Sequence, residues 1–289
     1  MEDRQTLSTR PGTLWVIATP IGNLEDLSPR ALRTLGEADL VVAEDTRRSG
    51  RLLAHLGLSK PLLSLHEHNE AARVPQLLQR LRQGMQLALI SDAGTPLVSD
   101  PGYRLVRAVR EADLPVFPVP GPSAVIAALS VAGLPSDRFW FEGFLPATAS
   151  ARRQRFETLL NLPVTVCCFE SAHRIRASAE DLAELAPQRE VVLAREITKQ
   201  FEEHFFGSAT ALPGWLGADP NRGRGEFVLI IAGAQEMGPA GDGGVSAEEA
   251  RVLDVLLETL PLKQAVKLAV QLTGAPRNLL YARALARGR

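Results

Sequence analysis

The sequence predicts an α/β protein that continues into a mixed-sheet region and ends in a helical tail. Three observations carry this. Up to about residue 132, short apolar runs alternate with stretches of helical periodicity, the pattern of a largely parallel sheet covered on both faces. After Gly133-Leu-Pro135, strand-like runs follow one another with fewer helices between them, which suggests a mixed sheet with hairpins. Beyond a segment rich in Gly and Pro, Gly238 to Gly244, only helical periodicity remains. The expected division is a lead-in over 1–11, an N-terminal α/β domain over 12–121, a second α/β domain over 122–236, a linker over 237–245 and a helical tail over 246–289.

Taken in order, Thr13-Leu-Trp-Val-Ile-Ala18 is the first strand and Thr19 to Asn23 its turn. Ser28-Pro29 pairs an N-cap with proline at the first helical position and opens a helix to about Glu37. Asp39 to Ala43 and Leu62 to His66 are strands, each followed by a helix, Thr46 to Leu56 stopped by Gly57 and Glu70 to Arg82 stopped by Gly84. Gln86 to Ile90 is a strand and Tyr103 to Arg110 a helix, with the loop Ser91 to Gly102 between them. Pro115 to Val119 precedes a loop, Pro120 to Ala124, and an apolar helix to about Ala132. In the second region, Phe139 to Phe144, Val164 to Phe169, Glu190 to Ala194, Gln200 to Phe206 and Glu226 to Ile231 read as strands, with helices near 150–160 and 173–185. The tail reads as three helices near 246–260, 262–273 and 276–287, the last two shaped like a helix-turn-helix unit.

Composition excludes several classes. At 289 residues, 45% hydrophobic and 22% charged, the chain has the profile of an ordinary globular protein of two domains. Its only cysteines, Cys167 and Cys168, are adjacent in a strand and point to opposite faces, so no disulfide framework or zinc site is expected. No run reaches the length needed to cross a bilayer, and the protein is expected in the cytoplasm. A net charge of −1 gives no bulk signal for nucleic acid. Local patches do exist: Arg152, Arg153 and Arg155 lie close together, and Leu260 to Arg289 holds six cations and no acid.

The loops carry the chemistry. No G-x-G-x-x-G follows the first strand and no phosphate-binding P-loop exists, which sets dinucleotide and P-loop chemistry aside. No Ser sits in a nucleophile elbow, and His66 and His68 lack helical zinc spacing, so no metal is expected. Ligands in open α/β sheets lie beyond the carboxyl ends of strands. Five such loops, Thr19–Asn23, Ala43–Arg47, His66–Glu70, Ser91–Gly102 and Pro120–Ala124, are expected on one rim, bringing Glu44, Asp45, Arg47, Glu67 and Asp92 together.

Eight motifs in sequence then resemble one family. They are Thr19-Pro-Ile-Gly-Asn-Leu24, Ala43-Glu-Asp-Thr-Arg47, His66-Glu-His-Asn-Glu70, Ser91-Asp-Ala-Gly-Thr-Pro-Leu-Val-Ser-Asp-Pro-Gly102, Pro120-Gly-Pro-Ser-Ala124, Glu170-Ser-Ala-His-Arg174, Arg195-Glu-Ile-Thr-Lys199 and Gly225-Glu-Phe-Val-Leu229. The chain from about 12 to 234 resembles the ribosomal RNA small-subunit methyltransferase I family, of the tetrapyrrole-methylase fold. Ser171 and Arg224 depart from the residues more usual there. The resemblance implies a homodimer of two α/β domains with S-adenosylmethionine in the cleft between them, methylating a cytidine ribose 2′-hydroxyl in the decoding region of small-subunit RNA. Pro20, Asp92, Thr95, Ser123 and Ala124 would contact the cofactor, and Phe169 would wall its pocket.

Methyl transfer from a sulfonium depends chiefly on alignment, but a sugar hydroxyl must still lose its proton. Asp45, His66 and Glu170 are the candidate acceptors, with Arg47, Arg174 and Lys199 holding phosphate or orienting the acceptor. RNA contacts are expected from Arg152, Arg153, Lys263 and Arg277. Two rival readings stay open: a methyltransferase of the same fold acting on a tetrapyrrole or a modified protein side chain, and a noncatalytic ribosome-associated protein.

Overall fold

The computed structural model describes residues 11–234, 245 and 247–287. Residues up to Gly233 form one compact unit and those from Ala234 a second. Both sheets lie in the first unit, so the expected division between 121 and 122 falls inside it. Apart from Pro11 and Val245, the expected lead-in and linker lie outside the described residues.

The first sheet contains β1 (Leu14–Ile17), β2 (Leu40–Ala43), β3 (Leu62–Ser64), β4 (Leu87–Ile90) and β5 (Val116–Val119), in the order β3-β2-β4-β1-β5. Every pairing is parallel. Strands β2 and β4 are buried along their whole length, as parallel strands covered on both faces must be. One face packs on α3 (Glu70–Arg82) and α4 (Tyr103–Glu111) through Leu77, Leu81, Leu105 and Val109; the other packs on α1 (Pro29–Glu37) and α2 (Thr46–His55) through Leu35 and Leu53. Pro118 sits on β5, an edge strand, where a missing N–H costs no ladder bond. The Ser28 hydroxyl accepts the Ala31 N–H at 3.1 Å and caps α1 as its sequence requires.

The second sheet contains β6 (Phe139–Phe144), β7 (Thr165–Ser171), β8 (Glu190–Arg195), β9 (Glu203–Ser208) and β10 (Glu226–Ile231), ordered β6-β7-β10-β8-β9. Only β6 and β7 pair in parallel, so the sheet is mixed. Helix α5 (Ala124–Ala132) covers one face, and α6 (Ala149–Leu159), α7 (Ile175–Leu185) and α8 (Leu212–Ala218) cover the other. Cys167 faces the α5 side and Cys168 the opposite core, with both thiols buried. Helix α8 was not foreseen: Pro213, Gly214 and Gly217 are poor helix formers, and tertiary packing of Leu212 and Leu216 overrides them. Strand β9 begins at Glu203, three residues later than its apolar pattern suggests.

The second unit contains α9 (Ala247–Leu257), α10 (Leu262–Thr273) and α11 (Arg277–Arg287), packed through Leu253, Val266, Ala269, Leu280 and Ala284. Gly274 ends α10 in the left-handed region at φ 73°. No helix among the described residues is long and apolar enough to cross a membrane.

Candidate active site

At the carboxyl ends of the first sheet lies a cavity of about 620 Å³, within the range of small-molecule sites. Three strand-end loops are pinned together to form its floor. Thr19 and Gly94 exchange backbone hydrogen bonds at 2.9 and 3.0 Å, joining the turn after β1 to the loop after β4. The Thr95 hydroxyl donates to the Pro122 carbonyl at 3.0 Å, joining that loop to the one after β5. Gly94 has φ +80°, and a Cβ there would press on Ile21 at 3.3 Å. The floor is thus small-residue backbone that leaves room for a ligand.

Farther along the same loop, Leu97 and Ser99 hold positive φ values of 72° and 65°. Each costs on the order of 1 kcal/mol or more, strain of the kind found at functional sites. Leu97 packs on the core of the first sheet, and Ser99 meets the second sheet, where a bulge in β6 brings Gly143 against its hydroxyl. The opposite wall comes from that sheet: Phe144, Phe169, His173, Ile197, Lys199 and the start of β10. Phe144 and Phe169 pack in a tilted pair, with ring centres 5.5 Å apart and planes at 59°. Gly22 packs so closely on Lys199 and Thr198 that a Cβ would not fit, which ties the two walls together.

The ionisable groups fall into two sets. Most are bound to partners. Asp92 accepts the Asp45 backbone N–H at 3.0 Å and an Arg48 N–H at 3.1 Å. Lys199 donates to Glu196 at 2.9 Å and Glu226 at 2.7 Å; burial works against its charge, but these bonds outweigh it and raise its pKa. Glu44 and Asp100 also line the cavity and form no ion pair among the described residues. Burial, then the neighbouring Asp92 and Asp100 carboxylates, raises the Glu44 pKa. Burial, assisted by Asp92 and opposed by a hydrogen bond from Ser91, pushes Asp100 up to about 6.

Of the expected cofactor residues, Asp92, Thr95, Ser123, Ala124 and Phe169 line the cavity, and in the first turn Ile21 does so rather than Pro20. Other expectations need correction. Asp45 is the N-cap of α2, accepts from Arg47 at 2.8 Å, and is held at a pKa of about 2 first by the Arg47 side chain, which makes it a poor base. Arg47 points away with its side chain 85% exposed, and Arg48 takes the cavity position. His66 follows β3, the edge strand farthest from β1 and β5, and its ring engages Asn69 at 3.0 Å outside the cavity. Glu67, expected on the same rim, is exposed and also outside it.

Glu170 borders the cavity, yet its carboxylate is fully shielded. It accepts from Ser178 at 2.6 Å and from the Ser171 N–H at 2.8 Å, and it pairs with Arg174 at 2.9 Å. Arg174 also donates to Ser171 and to the Leu145 carbonyl, so it braces Glu170 rather than facing a phosphate. Arg152 is buried, with its guanidinium 2.7 Å from Asp181, so its charge is turned inward rather than presented to RNA. Arg153 pairs with Asp181 and Glu184, and Arg155 with Glu142, so the expected basic cluster is neutralised. Glu44 lines the cavity as expected of the rim, whereas sequence reasoning missed Asp100, which lies inside a motif already singled out, and Arg48, which lies one residue beyond another.

Comparison with known proteins agrees with this geometry. Residues 13–213 match the family model of Tetrapyrrole (Corrin/Porphyrin) Methylases, and residues 243–288 match that of the RsmI C-terminal HTH domain. Ribosomal RNA small subunit methyltransferase I of Pseudomonas aeruginosa is 51% identical over 96% of this chain and 98% of its own length. The protein of the same name from Escherichia coli O157:H7 is 46% identical over 99% of both. Among solved structures, uroporphyrin-III-C-methyltransferase from Thermus thermophilus superposes with a TM-score of 0.53 at 24% identity, covering 78% of this chain and 96% of its own. The methyltransferase CobJ does so with 0.57 at 20%, covering 77% and 95%. These two likenesses establish the fold, and the near-full-length identities establish the closer kinship. The chain belongs to the ribosomal RNA small subunit methyltransferase I family, within the tetrapyrrole methylases.

Proposed function

We propose that this protein transfers the methyl group of S-adenosylmethionine to the ribose 2′-hydroxyl of a cytidine in the decoding region of 16S ribosomal RNA. The observation that carries the reading is the cavity itself, with a floor of small residues, an aromatic wall and two unpaired carboxylates in a chain whose relatives are named for ribosomal RNA. A fold neighbour, uroporphyrin-III C-methyltransferase, is described in complex with S-adenosylhomocysteine, the demethylated form of that donor.

The residues present fit such a ligand. Gly94, Ser123 and Ala124 would let its backbone-recognised parts approach closely, Asp92 and Thr95 would border it, and Phe169 would give an apolar face to its ring. Pro20 would act by shaping the turn that presents Ile21. When bound, the donor supplies a methyl group on a positively charged sulfur. Glu44 and Asp100 make the cavity favourable for that charge. Asp100 is the proton acceptor for the ribose hydroxyl in this reading, because Asp92 and Glu170 are bound to partners, Asp45 is too weak a base and Glu44 has the Arg48 cation acting on its charge. Lys199 would fix the opposite wall through Glu196 and Glu226, and Lys263 and Arg277 would contact phosphate. The protein is taken to act in the cytoplasm as a homodimer.

The test incubates the protein with methyl-labelled S-adenosylmethionine and either naked 16S RNA or assembled small subunits, followed by nucleoside analysis. Labelled 2′-O-methylcytidine at one site is expected. Label on a base, on a protein side chain or on no product would overturn the reading.

A further inference from the structure

Helices α10 and α11 of the second unit form a recess of about 790 Å³, lined by Lys263, Arg277, Asn278, Tyr281, Ala282 and Leu285. Helix α11 contributes positions i, i+1, i+4, i+5 and i+8, a single helical face turned away from the unit's core. This face combines two features rarely left exposed together. Tyr281 is 37% and Leu285 53% exposed, offering a flat aromatic ring beside an aliphatic edge. Around them, residues 262–287 hold five cations and no acid. Arg283 is engaged with Asp254 at 3.4 Å, whereas Lys263 and Arg277 form no ion pair among the described residues and line the recess with Tyr281.

We infer that this recess is a binding site for one nucleotide of single-stranded RNA, its base stacked on Tyr281 and its flanking phosphates met by Lys263 and Arg277. Charge complementarity selects a polyanion, because cations with no acidic neighbour on their helices gain most from one. The aromatic ring selects a single strand, because only an unpaired base exposes the face that stacks. Leu285 would flank the base with apolar surface, and the Asn278 amide would supply both a donor and an acceptor to its edge. The site would hold RNA outside the catalytic cavity, and it rests on the reading that RNA is the substrate.

The experiment uses the full-length protein and fluorescently labelled RNA oligomers, single-stranded and duplex, titrated at several salt concentrations. Tyr281→Ala is expected to weaken single-strand binding about tenfold or more, the scale of one lost base stack, with an unchanged salt slope. Tyr281→Phe retains affinity, and Lys263→Ala lowers the salt slope by about 0.7, one phosphate on a single strand. Thermal melts of the variants, expected to match the parent, exclude misfolding. Wild-type affinity in Tyr281→Ala, an equal loss on duplex RNA, or displacement of the RNA by polyglutamate with the same dependence on Tyr281 would overturn the site. Parallel methyl-transfer assays separate the two readings: a parent protein that methylates RNA while Tyr281→Ala binds normally sinks only the recess, whereas a parent that methylates no RNA sinks the function.

Discussion

Replacing Asp100 by asparagine should stabilise the fold at neutral pH while stopping methyl transfer. The two effects have one cause. Asp100 has a pKa of about 6 against an ordinary 3.8, because burial and the neighbouring Asp92 disfavour its charged form. An acid with a raised folded-state pKa binds its proton more tightly when folded. Stability therefore falls as pH rises from about 3.8 through about 6, and above that the full cost is present. A two-unit shift in a fully shielded group would amount to about 3 kcal/mol, and the half-buried position of Asp100 reduces this to about 1.5 kcal/mol.

Asparagine keeps the shape and carries no charge, so Asp100→Asn should raise the thermal midpoint by about 3–6 °C at pH 7.5 and leave it unchanged near pH 3.5. Scanning calorimetry at the two pH values measures this directly. If Asp100 also takes the ribose proton, turnover should fall by about 10²–10⁴-fold, the usual contribution of a positioned base. Affinity for S-adenosylmethionine, read by isothermal titration, should fall far less. An unchanged or lowered midpoint at pH 7.5, or the same gain at both pH values, would refute the burial argument. Undiminished turnover would refute the catalytic one.

Arg152→Ala should cost about 3 kcal/mol in urea unfolding, because it strands the Asp181 carboxylate in a buried site where only Arg153 remains to meet it, while RNA affinity stays at the parent value. An RNA defect without a stability defect would restore Arg152 as a nucleic-acid contact. Sedimentation equilibrium should return twice the 31.3 kDa chain mass, and a concentration-independent monomer would rule out the homodimer.

Much of the fold was legible because its signals are local. Ser28-Pro29 caps α1 in any context, Gly133 ends α5 in the left-handed region, and fully apolar β2 and β4 can only be central strands. The rim loops were legible for the same reason: Ser91 to Gly102 is too small and too rich in turn residues to pack as core. Helix α8 was hidden because its helix breakers are overruled by two leucines whose partners lie far away in sequence.

The chemistry within the site was less legible, because it depends on which charges find partners. Strand periodicity could have settled one case. Cys167 and Cys168 were read as facing opposite sides, and the same alternation sends Phe169 with Cys167 toward the cavity side and Glu170 with Cys168 toward the core. The alternation thus argues against Glu170 as a proton acceptor, and its bonds to Ser178 and Arg174 argue the same way.

Asp92 and Asp100 pose the harder problem, because both occupy one loop and share the same residue type. Only the fold brings Arg48 and the Asp45 amide onto Asp92 and leaves Asp100 with burial and a like charge. The ion pair fixes the loop, and the same packing that completes it raises the basicity of the carboxylate left over. A proton acceptor in such a site is found by eliminating every acid that already has a cation. That elimination requires distances between β2, β4 and α2, which sequence spacing does not contain.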